Sequence, residues 1–479
     1  MHKIPKEVLG VVGKLRESNF EAYLVGGCVR DLLIGKKPKD WDVTTNARPE
    51  DIQKIFEDTF YENDYGTVGV KTDLGVIEVT PYRIEAKYSD KRHPDKIEFA
   101  KELSEDLGRR DFTVNALAYD IERKKSIDLF EGEADLKKKI IKAVGDPDAR
   151  FKEDALRLFR AVRFSAELGF SIEKKTLEAV KKNAGLLKFV SKERIRDEFS
   201  KLIMADGAVK GLEILRETGL LKEFLPELLE GYGVGQNLHH IYTVWEHNLR
   251  ALECAIKEGW AFDVRLSALL HDVGKPRTKH GDGKFSTFYG HDVVGAKMAQ
   301  KILSRLHFPS EIIDKVSKLI RFHLFYYNVD EVTESSVRRL IAKVGAEDME
   351  DLICVRICDR IGSGVPKAEP YKLRHFRFMV EKLQRDPISV GMLKARGDDV
   401  MKICKIEPGP RIGWILAILL DEVLDDPKKN TKEYFDEKIS ILCPLPDKDL
   451  KNLAKKAEEK KVELETEEID KIKGKHYVK

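Results

Sequence analysis

Three groups of residues in this chain have types and spacings that could do chemistry. The first lies between Tyr23 and Asn46, in YLVGGCVRDLLIGKKPKDWDVTTN. Tyr23 to Val25 is short, apolar and β-prone, Gly26-Gly27 breaks it, and CVRDLLI has the apolar spacing of a helix. Two glycines let backbone approach a ligand closely, and free N–H groups at such a turn suit phosphate oxygens, with Arg30 one helical turn further on. A second strand is expected to begin near Asp40, which would point Asp40 and Asp42 to one face. Adjacent carboxylates repel, and a hard divalent cation such as Mg²⁺ makes the pair tolerable. The second group is Arg109, Arg110, Asp111 and Asn115 in RRDFTVNA, with Asp154, Arg157, Arg160 and Arg163 in FKEDALRLFRAVRF. These offer cationic donors for phosphates and hydrogen-bonding groups for hydroxyls. The third is a set of widely spaced histidines and aspartates: His247, the pair His271-Asp272, His291, His323 and Asp359. An adjacent His-Asp pair flanked by apolar helices, combined with further His and Asp at wide spacings, stands out from single packed histidines.

Each fragment alone has an ordinary explanation. A GG is a turn, a DxD a solvated strand end, RRD a surface ion pair, and an Asp and an Arg three apart a helical salt bridge. A single buried histidine is more often packed than ligating. Their combination on one chain is what carries information.

The elements that must position these residues follow from periodicity. Pro5 to Ser18 reads as an amphipathic helix, Ile52 to Phe60 as another, and GTVGVKTD, GVIEVTPYR and KIEF as strands completing a small mixed sheet. Glu78 in the second of these strands is either a third carboxylate beside Asp40 and Asp42 or an exposed strand residue. The polar segment Tyr82 to Phe99 reads as a mobile loop. A helix is expected from near Phe151, with Leu156, Phe159, Val162 and Phe164 as its apolar stripe and Asp154 and Arg157 sharing a turn. SKERIRDEFSKLI, from Ser191, reads as a further helix, and the Lys- and Glu-rich residues after Pro446 as a short helical appendage.

At 479 residues the chain exceeds one ordinary core. A composition 42% hydrophobic and 35% charged describes a soluble globular protein with a charged surface. No run approaches the roughly 18 apolar residues of a membrane span, and MHKIPKEVLG lacks the apolar centre of a signal peptide, so a cytoplasmic location without membrane association is expected. The six cysteines form no CxxC pair and read as reduced core thiols, with Cys354 and Cys358 packed one turn apart. The net charge of +3 is uneven: Leu136 to Leu202 holds 18 Lys and Arg against 10 Asp and Glu. Such a segment suits a phosphate backbone, or is simply a solvated helix surface.

A GG turn opening a helix, then twelve residues, then Asp-x-Asp, resembles the nucleotidyltransferase superfamily that includes DNA polymerase beta. The longer string, with RRDFTxNA and EDxxR (here EDALR), resembles class II tRNA nucleotidyltransferases, the CCA-adding enzymes, and bacterial poly(A) polymerases. The resemblance implies an α+β chain: a polymerase-beta-like mixed-sheet catalytic head over residues 1–144, a helical neck with a base-recognition helix over 145–230, a helical HD domain over 231–364 and a helical, tRNA-binding tail over 365–479. It implies that Gly26, Gly27 and Arg30 place a triphosphate, that Asp40 and Asp42 hold Mg²⁺ and are catalytic, and that Arg109, Asp111 and Asn115 serve the phosphates and ribose of the nucleotide. The tRNA 3′-hydroxyl would attack the α-phosphate of CTP or ATP and release pyrophosphate. Asp154 and Arg157 would stand in for a template, because cytosine and adenine each place an amine donor beside a ring-nitrogen acceptor whereas guanine and uracil oppose a carbonyl to the carboxylate. Arg160 and Arg163 would assist with phosphates or hold the helix. The segment at Tyr82 to Phe99 resembles the family's flexible loop needed for adenosine addition.

The histidine-rich part resembles the HD metal-dependent phosphohydrolases. That resemblance implies a principal site of His247, His271, Asp272 and Asp359, with His291 and His323 for a second ion or phosphate. The alternatives left open are a poly(A) polymerase, whose RRFR-type stretch is missing where this chain reads YENDYGTVGVK, an enzyme adding only the terminal adenosine, and a phosphohydrolase with an RNA-binding head.

Overall fold

The computed structural model describes residues 3–61, 66–85, 97–237, 241–281, 283–365, 368–384 and 390–478. The chain divides into two compact units, Met1–Leu324 with Cys354–Pro366, and Phe325–Ile353 with Lys367–Lys479.

The first unit opens with the helix Lys6–Glu17, whose Val8, Val11, Val12 and Leu15 are buried at helical spacing. The strands that follow are β1 (Ala22–Val25), β2 (Asp42–Thr45), β3 (Thr59–Tyr61), β4 (Val68–Thr72), β5 (Gly75–Pro81), β6 (Arg83–Glu85), β7 (Ile97–Phe99), β8 (Leu117–Asp120) and β9 (Lys125–Asp128). Seven of them form one mixed sheet in the order β3-β4-β5-β2-β1-β8-β9. Among the described residues of this sheet only the β2–β5 pair is parallel, and its register sets Asp42 opposite Glu78. The α+β expectation holds: this mixed sheet is followed by helices.

Several local expectations are corrected. The helix expected over Ile52 to Phe60 stops at Ile55, and Thr59–Tyr61 is the edge strand β3. KIEF does not join the sheet; Ile97–Phe99 pairs antiparallel with Arg83–Glu85 in a separate two-stranded ribbon. Tyr82 is fully buried, with its hydroxyl donating to Glu21 at 2.9 Å, so the expected loop does not begin there. The middle of that segment, 86–96, lies outside the described residues.

Two corrections concern the second unit. The residues after Pro446 are not a short appendage but a 30-residue helix, Asp447–His476, packed on the helices Pro410–Asp425 and Tyr371–Gln384. Its Leu450 and Ala454 join a core with Ile415, Leu419, Phe435 and Ile439. The six cysteines are not all free: Cys404 and Cys443 form a disulfide, while Cys28, Cys254, Cys354 and Cys358 are buried thiols. The two bonded cysteines end neighbouring helices, which spacing along the chain does not reveal.

Candidate functional site

The turn after β1 is tighter than a free phosphate loop. Gly26 has φ of 76° and caps the helix Gly27–Leu33, and a Cβ there would lie 2.8 Å from the Arg110 guanidinium. The positive φ is what requires glycine, since the Arg110 guanidinium is the end of a flexible side chain that could move aside. The Gly26 N–H, expected to be free, donates to Leu117 O on β8 at 3.0 Å. Positive charge at the turn comes instead from Arg30, buried and donating to Asn115 Oδ1 at 2.8 Å, and from Arg110.

The paired carboxylates sit across the same cavity. Asp40 precedes β2 rather than lying in it, since the strand starts at Asp42. Both nevertheless line a cavity of about 620 Å³ together with Glu78, Gly26, Gly27 and Arg30. Three carboxylates facing one space are a fitting donor set for a hard divalent cation.

The RRD segment forms another wall. Asp106 is fully buried and accepts from Arg109 at 2.8 and 2.9 Å, from Arg110 at 3.3 Å, and from Thr44 of β2 at 3.3 Å. Burial pushes its carboxyl up, but Arg110 and Arg109 overcome this and hold it below the ordinary aspartate range. Sequence reasoning passed over Asp106, although its spacing of three and four from the two arginines on one helical turn is a usable signal. Asp111 accepts from Asn115 at 3.2 Å and from Arg160 at 2.7 Å. Burial opposes ionisation here too, and the Arg160 guanidinium again holds the carboxyl low.

The FKEDALR segment is not one helix. Pro147–Glu153 and Leu156–Leu168 are separate helices, and Asp154 between them is extended, with φ −135° and ψ 106°. Its Oδ1 accepts from Leu156 N at 3.0 Å, and the break lets Asp154 and Arg157 both line the cavity. Each is gripped from elsewhere: Arg157 donates to Glu153 at 2.7 Å and to Arg109 O at 2.9 Å, whereas Asp154 is held by Arg194 at 2.7 and 3.3 Å. Arg163 reaches Glu198 at 2.8 Å and stacks 3.6 Å from the Phe164 ring centre. Of the two roles open for Arg160 and Arg163, these ion pairs favour holding the helix. The basic segment is thus partly explained, since its Arg157, Arg160, Arg163 and Arg194 face the cavity. Sequence reasoning also passed over Arg194 and Glu198, because no local pattern marks them.

The histidines converge in a second, buried place. His247 Nε2 lies 2.8 Å from His271 Nε2, 3.0 Å from Asp272 Oδ2 and 3.4 Å from Asp359 Oδ1. His291 Nε2 and His323 Nε2 lie 3.2 and 3.8 Å from Asp272 Oδ1. The Nδ1 atoms of His271, His291 and His323 lie 2.8, 2.6 and 2.7 Å from carbonyl oxygens three residues back, which turns each Nε2 inward. Tethering one ring nitrogen and offering the other is how metal-ligating histidines are oriented. Nε2 of His291 and of His323 are buried without a hydrogen bond. Two sets of ligand atoms result, His247 with His271, Asp272 and Asp359, and Asp272 with His291 and His323, each within 4.8 Å. Asp272 belongs to both, and Lys275 approaches it at 2.6 Å. Burial, with His271 nearby, pushes His323 down to about 3, whereas at His271 burial is outweighed by the carboxylates of Asp272 and Asp359, which push the imidazole up to about 10, so a metal binding there would displace a proton from His271.

A mixed sheet carrying paired carboxylates beside a glycine turn, followed by a helical region and a buried His/Asp centre, defines a nucleotidyltransferase joined to an HD domain. The chain matches the "Poly A polymerase head domain" over residues 22–142, the "Probable RNA and SrmB- binding site of polymerase A" over 169–231 and the HD domain over 244–363. It is 34% identical over 445 residues to the CCA-adding enzyme of Ligilactobacillus salivarius, covering 91% of this chain and 98% of that one. It is 46% identical over 218 residues to the CCA-adding enzyme of Lactobacillus delbrueckii subsp. bulgaricus, spanning 45% of this chain and 55% of that one. Its structure is similar to the Bacillus stearothermophilus CCA-adding enzyme in complex with CTP, with TM-score 0.57, 28% identity and coverage of 91% and 96%. The chain belongs to the CCA-adding enzyme family. No helix among the described residues is long and apolar enough to cross a membrane.

Proposed function

We propose that this chain adds C, C and A from CTP and ATP to the 3′ end of tRNA in the cytoplasm, through a head, neck, HD domain and tail divided near residues 144, 230 and 364. The observation that carries this reading is a single cavity lined by residues from four separate segments: the glycine turn, the carboxylate pair, the RRD wall and the Asp154/Arg157 break. Asp40 and Asp42, with Glu78 as a third carboxylate, are the residues that would hold Mg²⁺. Bound there, Mg²⁺ supplies Lewis-acid activation of the attacking hydroxyl and neutralises charge on the leaving pyrophosphate. Arg30, held against Asn115, and Arg110, clamped by Asp106, place cationic donors toward triphosphate oxygens. Asp111 and Asn115, tied to each other, orient the ribose. Asp154 accepts the exocyclic amine of cytosine or adenine while Arg157 donates to the ring nitrogen, so that guanine and uracil leave unmatched polar groups. The testing experiment offers CTP, ATP, GTP and UTP singly and together to a tRNA lacking its 3′ end, to versions ending in C and CC, and to an unstructured RNA. Ordered addition of C, C and A followed by arrest is expected. Addition to the CC-ended tRNA alone identifies a terminal-adenosine enzyme, and long adenosine tails on any RNA identify a poly(A) polymerase.

A second reading coexists with the first. The inward-turned Nε2 atoms around Asp272 favour a divalent metal centre in the HD domain, where bound metal would activate water for phosphoester hydrolysis. Hydrolysis of a phosphoester probe by metal-loaded protein, lost with His271→Ala, tests it.

A further inference from the structure

We propose that Arg194 is the positioning residue that sets base choice, by holding the Asp154 carboxylate in the orientation from which it reads the incoming base. This rests on the nucleotide-adding reading above. Asp154 lies in the break between two helices, so its carboxylate is oriented by its hydrogen bonds rather than by a helical ladder. One comes from Leu156 N at 3.0 Å; the other two come from the Arg194 fork, Nη1 to Oδ1 at 3.3 Å and Nη2 to Oδ2 at 2.7 Å. A bidentate fork fixes the plane of a carboxylate, which a single donor does not. Oδ1 already takes both Leu156 N–H and Nη1, but Oδ2 takes only Nη2 and keeps its second lone pair, so Asp154 can accept an amine through Oδ2 while it is held.

Arg194 is delivered from far along the chain on a supported element. Its helix, Lys192–Met204, is fastened on both sides of it to one turn of the HD region: Arg196 Nη1 donates to His307 O at 2.6 Å, and His307 Nδ1 meets Glu193 Oε1 at 2.5 Å. The guanidinium lines the same cavity as Asp154 and Arg157. Selection against a carbonyl depends on the carboxylate staying where the carbonyl must face it. Released from Arg194, Asp154 keeps the Leu156 N–H and turns about it, and the penalty on uracil and guanine falls.

The test measures kcat/KM for CTP, UTP, ATP and GTP on tRNA substrates with the full-length parent, Arg194→Met, Arg194→Lys, Asp154→Ala and the Arg194→Met/Asp154→Ala double variant. The readout is the ratio of correct to incorrect nucleotide, in which a uniform loss of activity cancels. Arg194→Met is expected to lower both ratios about tenfold or more, Arg194→Lys by less, and the double variant no further than Asp154→Ala alone, since both changes act through one carboxylate. A uniform loss across all four nucleotides, or unchanged ratios, in Arg194→Met overturns the proposal. Where Arg194→Met does not fold, Arg194→Lys decides, because it keeps the charge without the fork and unchanged ratios in it overturn the proposal equally. Unchanged ratios in Asp154→Ala overturn the base-reading assignment itself, a result distinct from the failure of Arg194.

Discussion

The cavity of the head and neck and the centre of the HD domain both gather charged residues inside the first unit, yet they differ in what surrounds their carboxylates. In the cavity each named carboxylate of the RRD wall is matched to an arginine: Asp106 to Arg109 and Arg110, Asp111 to Arg160. Along that wall the protein supplies the counter-charges, and the open space is lined both by arginines that already hold protein partners and by the carboxylates Asp40, Asp42 and Glu78. In the HD centre, imidazoles crowd around two carboxylates, with Lys275 and Arg356 beside them. There the ligand atoms of His247, His271, Asp272 and Asp359 lie within 4.8 Å of one another, an arrangement that a shared cation would stabilise. The first site mixes arginines with the carboxylates of Asp40, Asp42 and Glu78, whereas the second is a compact set of imidazoles and carboxylates.

Breaking each site separately sharpens the contrast. Asp40→Ala with Asp42→Ala is expected to lower nucleotide addition by about a thousandfold or more while leaving divalent metal content of the HD centre unchanged. His271→Ala with Asp272→Ala is expected to do the reverse, losing the bound metal, read by elemental analysis, with addition within about twofold of the parent. If the first pair of substitutions left addition intact, the catalytic assignment would be wrong. Asp106→Ala strips two buried-edge arginines of their partner and is expected to cost about 3 kcal/mol in chemical unfolding and to raise KM for nucleotides. In the second unit, which has neither site, Cys404→Ser is expected to lower stability by about 2–4 kcal/mol without changing base selection.

A pH series probes the buried carboxyls of the cavity wall. The folded carboxyls of Asp106 and Asp111 lie below the ordinary value of 3.8, so their contribution is present above that value and is lost as pH falls through their folded pKa. Acid unfolding below about pH 4 is therefore expected to flatten in Asp111→Asn. A slope unchanged in that variant removes Asp111 from the account.

Much of the chemistry is legible in the order of residues alone. GG, DxD, RRDFTxNA and EDxxR are compact motifs whose residues act within a few positions of one another, so composition and spacing carry them. The histidine set is also readable in kind, because His-Asp followed by apolar helices is unusual enough to stand out. Less local matters are not. The helix expected through FKEDALR is broken at Asp154, since tertiary partners for Asp154 and Arg157 outweigh helix propensity there. The strands β3, β8 and β9 are short, and their identity as strands is set by neighbours in the sheet rather than by their own residues.

The sequence by itself determined which side chains are available, that glycine stands at Gly26, and that carboxylates and imidazoles recur at ligating spacings. Only the tertiary structure decided that Glu78 lies in register with Asp42, that Asp106 clamps two arginines, that Arg194 grips Asp154 from 40 residues away, and that Cys404 meets Cys443. The physical reason is range: backbone conformation and helical spacing are local, whereas strand register, ion pairing between helices and disulfide pairing depend on which distant segments share a core.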